Sequence, residues 1–506
     1  MLKEFSLENL FRWTEEDIYE FDFKSKGVEF SVVKRLKEAV ADTIKHAMPV
    51  EKKAGVHIGR IWFDPAVAPL GRGSSGTIVF AGLVEGREAA VKRLDAGLWT
   101  LAVKEIEAFQ AGRSDECKHV VSYFGHEKDD GYIYLAISKC ATTLGNCVET
   151  GSDLSCQLER VDERLRVLHE LAQGIAHLHS LGVIHRDLTP SNVLLDDEGV
   201  VKISDMGLAR KIIDGQGHVS TTSQGTIGWQ PAEVLEKQAQ SEKVDVFSFG
   251  CLCFYVLTLG KHPFGKSEEW QLRISKDRAD FSPLHKLQGV LQCRQHPLRK
   301  YGSKYDLQQH FLTTSHEIPS FLDIRSCLAC SKELLNDVER DQHDCDVVPH
   351  VMFCAEELLL RCLSHDAAAR PLMDCVLNHP LFWSCDRRIK FLEIVSDWLK
   401  ANVGLQSKID LMVHTIYTTD GWQSYPGVKE LLIGKYERTL SQLIRLVRNI
   451  AHHYHEVSEP GNQFRCLEDV ADFFEKRFPQ LLITVWAVIR DMPERKLCFD
   501  LNTFFV

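Results

Sequence analysis

The chain has 506 residues, 44% of them apolar and 26% charged, a globular balance in which disorder is not the default. At roughly 150 residues per domain the length points to about three units. Sixty lysines and arginines against 71 acids give a net charge of -11, which excludes a protein that coats nucleic acid non-specifically; any RNA site must therefore be local.

The opening MLKEFSLENLFRWTEEDIYEF is acidic and amphipathic, not the basic-then-apolar run of a signal peptide, and residues 1–55 are set apart as an N-terminal extension. Next, LGRGSSGTIVFAGLVEGREAAVKRL (70–94) carries glycines at 71, 73 and 76 ahead of alternating β-branched residues. Glycines at that spacing let backbone amides approach a phosphate chain, although a plain hairpin turn uses them too. Lys92 follows in AAVK on a second strand, where a cation for phosphates belongs. VIHRDLTPSNVLL (183–195) adds Asp187 and Asn192, and ISDMGLAR (203–210) adds Asp205. Four such elements in this order resemble the eukaryotic protein kinases.

Phosphoryl transfer needs alignment and charge neutralisation more than covalent help. In that chemistry Gly71, Gly73 and Gly76 cover the phosphates of ATP or ADP, Lys92 holds them, and Glu105 in VKEIEAF pairs with Lys92, with Glu107 as the competing choice. Asn192 and Asp205 offer oxygens to Mg²⁺, and Asp187 orients or accepts the proton of an incoming hydroxyl. Three positions depart from the kinase pattern. Thr189 stands where serine/threonine kinases carry lysine, Met206 replaces the phenylalanine after the metal-binding aspartate, and GWQPAEVL (228–235) transposes alanine and proline ahead of Glu233, whose expected partner is Arg370. Nucleotide binding tolerates these changes better than phosphotransfer does. Ser220, Thr221, Thr222 and Ser223 form a hydroxyl cluster that suits either an autophosphorylated activation loop or an ordinary polar loop.

VFSFGCLCFYVLTLG (246–260) is too short for a bilayer, which takes about 20 residues, and is read as a buried helix. Sixteen scattered cysteines fit reduced core thiols of a cytoplasmic protein. The kinase pattern then breaks over about 284–346 and resumes near VPHVMFCAEELLLRCLSHDAAARP (348–371). Within the insertion, His310, His316, Cys327, Cys330, His343 and Cys345 include ligand types for zinc, but their spacing fits no standard finger and incidental cysteines remain the alternative.

NHPLFWSCDRRIKFLEIVSDWLKAN (378–402) runs from the last kinase helix into an amphipathic helix without a linker, so the two units are expected to move as one body. YERTLSQLIRLVRNIAHHYHE (436–456) reads as one helix: Leu440, Leu443, Ile444, Val447, Ala451 and Tyr454 share a stripe, and Arg445, Arg448, Asn449, His452 and His453 lie opposite. A polar stripe alone is what any amphipathic helix shows to water. Two arginines, an amide and two histidines without an acid make an expected anion site suited to an RNA phosphate.

HPLFWS, FLEIVSDWL, the DGW of Asp420–Trp422, the RNxxHHY of Arg448–Tyr454 and the RFPQLL of Arg477–Leu482 resemble the kinase/endoribonuclease module of the inositol-requiring enzyme family of the unfolded-protein response, an architecture shared with ribonuclease L. The resemblance implies an α+β bilobal protein-kinase fold (56–383) fused without linker to an all-α C-terminal ribonuclease domain (384–506). It also implies cleavage of RNA stem-loops by 2′-hydroxyl attack, with His453 as general acid, Tyr436 as candidate base, Arg448 and Asn449 holding the phosphate, and no cofactor at that site. Nucleotide in the kinase cleft is expected to favour back-to-back homodimers. No segment of this chain corresponds to the family's sensor domain or membrane helix. The expectation is a cytoplasmic chain, either a soluble paralogue or a piece lacking the sensor; relatives with the membrane helix sit at the endoplasmic reticulum. A second reading is a pseudokinase-type regulator that dimerises with an active relative, favoured by Thr189, Met206 and the Ile450-Ala451 that replaces a common basic pair.

Overall fold

Small and β-branched residues alternate through IVFAGLV and REAAVKRLD, and the two segments pair as long antiparallel strands. In chain order the strands are β1 (Ile61–Phe63), β2 (Gly71–Arg72), β3 (Ile78–Val84), β4 (Arg87–Asp95), β5 (Tyr123–Lys128) and β6 (Tyr132–Ile137). They lie side by side as β1-β3-β4-β6-β5, with β2 paired to the start of β3. The computed structural model describes residues 55–505 except 74–75, 115, 151–157, 159, 212–217, 220–224, 286–290, 294–295, 302–348, 412–415, 417–420, 426, 429–430, 432–435 and 455–463. The hydroxyl cluster Ser220–Ser223, the six zinc candidates and Asp420 therefore lie outside the described residues, as does nearly all of the N-terminal extension. By internal packing the chain divides into Met1–Val56 with Asp64–Ala66, and His57–Phe63 with Val67–Val506; the second unit carries every candidate site residue.

One helix, α1 (Trp99–Ala111), accompanies the sheet and buries Ala102, Glu105, Ile106, Ala108 and Phe109. The second lobe is mainly helical. Its α2 (Val161–Ser180) opens with Asp162 and Glu163 in the first turn, where acids suit the helix dipole. Two short strands, β7 (Val193–Leu195) and β8 (Val201–Ile203), pair antiparallel and carry the loops of the kinase-like motifs. The apolar run forms α3 (Lys243–Leu257), in which every residue from Val244 to Leu257 is buried by its own lobe. It stops where the Thr258 hydroxyl turns back onto the Phe254 carbonyl at 2.6 Å and Leu259 and Gly260 take positive φ (51° and 100°). No described helix is long and apolar enough to cross a membrane. Within the insertion, Leu291–Cys293 and His296–Tyr301 pair as an antiparallel hairpin. The lobe resumes at α4 (Pro349–Cys362).

A turn through Pro380–Phe382 leads directly to Ser384, whose hydroxyl accepts from the Arg387 amide and caps α5 (Cys385–Ala401). Beyond it, α6 (Leu440–His453) and α7 (Leu467–Arg477) pack against α5 and α8 (Leu481–Arg490) packs against α4, with Phe391, Val395, Leu443, Val447, Phe474 and Trp486 in one continuous core. Among its described residues this C-terminal part has helices, turns and loops but no strand. Two charged clamps fasten it to α4. Glu475 of α7 lies 2.6 Å from Arg388 Nε and 3.0 Å from His350 Nδ1. Glu357 of α4 lies 2.9 Å from His379 and also accepts from Arg490 of α8. Burial alone would raise both carboxyls; contacts with His350 and Arg388, and with His379 and Arg490, outweigh it and hold them below the usual range.

The single helix expected over 436–456 is shorter at its start. Thr439 has extended backbone and its hydroxyl accepts from the Gln442 amide, so α6 begins at Leu440 and Tyr436 stands in the preceding loop. The stripe of Leu440, Leu443, Ile444, Val447 and Ala451 is buried as expected, while Tyr454 is half-buried and Leu446 and Ile450 widen the buried face.

Candidate functional site

In the kinase-like cleft, strand register places Gly71 beside Val79 and Val79 beside Lys92, so the glycine segment and the lysine share one row across β2, β3 and β4. The Gly73 amide donates to the Thr77 carbonyl at 2.9 Å, closing the turn, and Gly76 takes φ +77°. A Cβ at Gly71 or Gly76 would meet nothing within 4 Å, leaving open space on that side of the turn. Lys92 Nζ donates to both oxygens of Glu105 (2.7 and 2.9 Å) and to Asp205 Oδ1 (2.9 Å). Helix phase settles the choice left open by sequence, since Glu105 is 2% exposed and Glu107 faces solvent. Burial would lower the lysine, but the two carboxylates outweigh it and raise it, so the ammonium stays charged. For Asp205, burial pulls upward and Lys92 pulls down harder, keeping the carboxylate ionised.

A buried aspartate, absent from the expected set, organises the catalytic-type loop. Asp245 of α3 is fully buried and accepts from the amides of His185 and Arg186 (2.8 Å each), with His179 Nε2 at 2.9 Å. That grip holds Arg186 at φ +71° and sets up the next residue, Asp187. Asn192 donates its amide to the Asp187 carbonyl (2.8 Å) and to Oδ2 (3.0 Å). With its nitrogen spent there, the Asn192 side-chain oxygen remains for a hard cation. The Asp205 carboxylate would offer further oxygen of the kind Mg²⁺ takes. Thr226, which sequence reasoning missed, gives its amide (2.9 Å) and hydroxyl (2.8 Å) to Asp187 Oδ1. Thr189 is buried and bonded to the Ser191 hydroxyl at 2.8 Å, so no cation stands at that position. Met206 is fully buried, and Arg370 meets Glu233 through two bonds of 2.6 and 3.0 Å, as the motif implies.

The second constellation lies on α6 and the loop before it. Trp422 is fully buried, donates its indole N–H to the Thr439 carbonyl at 3.0 Å, and sets its ring 6.1 Å from that of Tyr436. Gln423 donates to the Tyr436 carbonyl. These contacts fix the loop against the helix start. Asn449 Nδ2 donates to the Tyr436 hydroxyl at 3.0 Å, and Arg448 Nη1 donates to Asn449 Oδ1 at 3.1 Å. The Arg445 guanidinium stands 5.9 Å from the Tyr436 ring. His453 is exposed, one helical turn beyond Asn449 and on the same face.

An acid-free anion site is not what the helix surface becomes on folding. Arg448 Nη2 lies 3.2 Å from Asp397 and His452 Nε2 lies 3.4 Å from Glu393, both on α5. Sequence distance concealed these partners. Ile450 and Ala451, which stand in place of a common basic pair, are 8% and 6% exposed and pack in the buried face of α6.

A model of the protein kinase domain matches residues 66–382, and a model of the ribonuclease 2-5A family matches residues 428–503. The chain is 30% identical over 453 residues to the serine/threonine-protein kinase/endoribonuclease IRE1 of Oryza sativa subsp. japonica, covering 83% of this chain and 43% of that protein. It belongs to the inositol-requiring kinase/endoribonuclease family. Another relative in this family, the serine/threonine-protein kinase/endoribonuclease IRE2 of Homo sapiens, is 31% identical over 493 residues, 92% of this chain and 45% of that one. The sensor for unfolded proteins in the ER ire1 of Schizosaccharomyces pombe is 26% identical over 525 residues, 94% and 42% respectively. The chain thus spans less than half the length of these three family members. Its fold is the family's expected one, a two-lobed kinase domain followed by an all-helical ribonuclease domain.

Proposed function

We propose that this chain is a nucleotide-regulated endoribonuclease that cuts RNA stem-loops without metal, within unfolded-protein-response-type signalling and RNA processing. The observation that carries the reading is the bond from Asn449 to the Tyr436 hydroxyl. It joins the loop residue to the helix that bears Arg448 and His453, so base, phosphate ligands and acid share one surface. In the proposed step Tyr436 takes the proton of the ribose 2′-hydroxyl, whose oxygen attacks the adjacent phosphorus. The bond to the 5′-oxygen breaks as His453 protonates that oxygen, leaving a 2′,3′-cyclic phosphate and a 5′-hydroxyl. Arg448 and Asn449 stabilise the charge on the phosphate. The kinase-like unit, which we bound at 56–383 with ribonuclease residues 384–506, binds ATP or ADP with Mg²⁺ through Lys92, Asn192 and Asp205 and serves as a dimerisation switch for back-to-back pairs. Free thiols among the described cysteines suit catalysis in the cytoplasm.

His453→Ala tests the site. Cleavage of a labelled stem-loop is expected to fall by at least roughly 10²-fold, the loss typical of a general acid. The melting temperature should hold, because His453 is exposed. His452→Ala, one step round the helix, should cost less. Equal, wild-type rates in both variants would remove the ribonuclease reading. A regulator that pairs with an active relative is the second reading, favoured by the buried, neutral Thr189 beside Asp187. It predicts weak phosphotransfer and no cleavage by the purified chain alone.

A further inference from the structure

The helix α5 sets two acids one turn apart, Glu393 and Asp397, against two bases one turn apart on α6, Arg448 and His452. Arg448 is the telling member. Its Nη1 is committed to Asn449 Oδ1. The opposite, side-on edge of a guanidinium presents Nε–H and Nη2–H together, the fork that takes two oxygens of a phosphate at once. Here Asp397 reaches only Nη2, through one oxygen at 3.2 Å, and Nε is buried with no acceptor among the described residues. The fork is half filled by a carboxylate whose own side chain is 53% exposed.

We propose that Asp397 is an acidic competitor for the phosphate edge of Arg448 and sets how strongly the ribonuclease site takes RNA; the inference rests on the ribonuclease reading above. A phosphodiester entering the site supplies two non-bridging oxygens to Nε and Nη2 and must displace Asp397 to do so. A pair made through one oxygen of a half-exposed carboxylate is weak and yields readily. Its charge nevertheless opposes every phosphate that approaches, and Glu393 does the same at His452. Phosphates that bring no further contacts are held poorly, whereas a stem-loop, with contacts along its length, overcomes the opposition. The acids act as a selectivity filter against RNA that merely passes.

The test is Asp397→Asn, which keeps shape and hydrogen bonding but removes the charge. Affinity is read by fluorescence anisotropy with a stem-loop carrying a 2′-deoxynucleotide at the scissile position, and turnover by single-turnover cleavage of the all-ribose stem-loop in EDTA. The variant should bind about threefold to fivefold tighter at about 50 mM salt, as the ion pair no longer has to be broken. The saturating rate should match wild type, and the gain should shrink at about 0.5 M salt. In an Arg448→Ala background the same substitution should give a clearly smaller gain. Unchanged or weaker binding overturns the proposal, as does a lower saturating rate, which would make Asp397 a group that orients Arg448. If wild-type protein neither binds nor cuts the stem-loop, the underlying ribonuclease reading fails; if it cuts while Asp397→Asn binds no tighter, only the competitor role fails.

Discussion

Replacing Glu475 by alanine should loosen the joint between the kinase domain and the helical C-terminal domain. Glu475 is 9% exposed, and its partners Arg388 and His350 have side chains only 17% and 8% exposed. Removing the acid leaves the Arg388 guanidinium largely buried without its counter-charge and His350 without its partner, for which about 3 to 5 kcal/mol is typical when the pair is fully buried. Arg388 keeps its bond to the Trp383 carbonyl at 2.8 Å and retains some contact with water, which lowers the expectation to about 2 to 3 kcal/mol. For a helical unit of this size that corresponds to a fall of roughly 4 to 12 °C in the melting transition of the C-terminal part. Differential scanning calorimetry on the full chain resolves it. The double replacement Glu475→Leu with Arg388→Met should recover most of the loss, since apolar groups of similar volume commonly replace a buried pair without penalty. A single Glu475→Ala variant that melts within a degree of wild type would show that the clamp does not hold the units together.

Asp205→Ala should weaken Mg²⁺-nucleotide binding by roughly tenfold or more, because the cation loses its carboxylate while the core is untouched; titration calorimetry with Mg-ADP reads this, and unchanged affinity would mean that the metal site is misplaced. His262 gives an acid dependence. It packs against Trp270 (ring centroids 4.2 Å apart) and Trp229 (5.0 Å), and burial pushes its pKa down to about 3. The unfolded chain binds this proton first, near pH 6.5, so the stabilisation is full above that value and is lost as pH falls toward 3. At pH 5 the loss is about 2 kcal/mol, and His262→Phe should flatten the fall in melting temperature between pH 7 and pH 5; an identical slope in both proteins would contradict the assignment.

Much of the fold was legible because the kinase-type loops are local in sequence: Gly71 to Gly76, Asp187 to Asn192, and Asp205 each sit within one turn or strand junction. The apolar stripe of α6 was legible for the same reason, since periodicity is a property of neighbours. Contacts between distant segments were not. Thr226 reaches Asp187 across 39 residues, Asp245 grips the loop from 59 and 60 residues away, and Asp397 meets Arg448 from another helix. None of these leaves a spacing signal. The stretch RNIAHH looked free of acids because its acids come from α5, and the start of α6 was misplaced because Thr439 functions as a cap only once the loop packs beneath Trp422.

The central claim is RNA cleavage by 2′-hydroxyl attack at Tyr436, Arg448, Asn449 and His453. The direct measurement incubates the purified chain, with ADP, in EDTA with a stem-loop RNA labelled at both ends, and identifies the product termini. The account predicts a single cut that leaves a 2′,3′-cyclic phosphate and a 5′-hydroxyl, abolished by a 2′-deoxynucleotide at the scissile position and by His453→Ala. Products with a 5′-phosphate and a 3′-hydroxyl, or cleavage only when Mg²⁺ is restored, would contradict it.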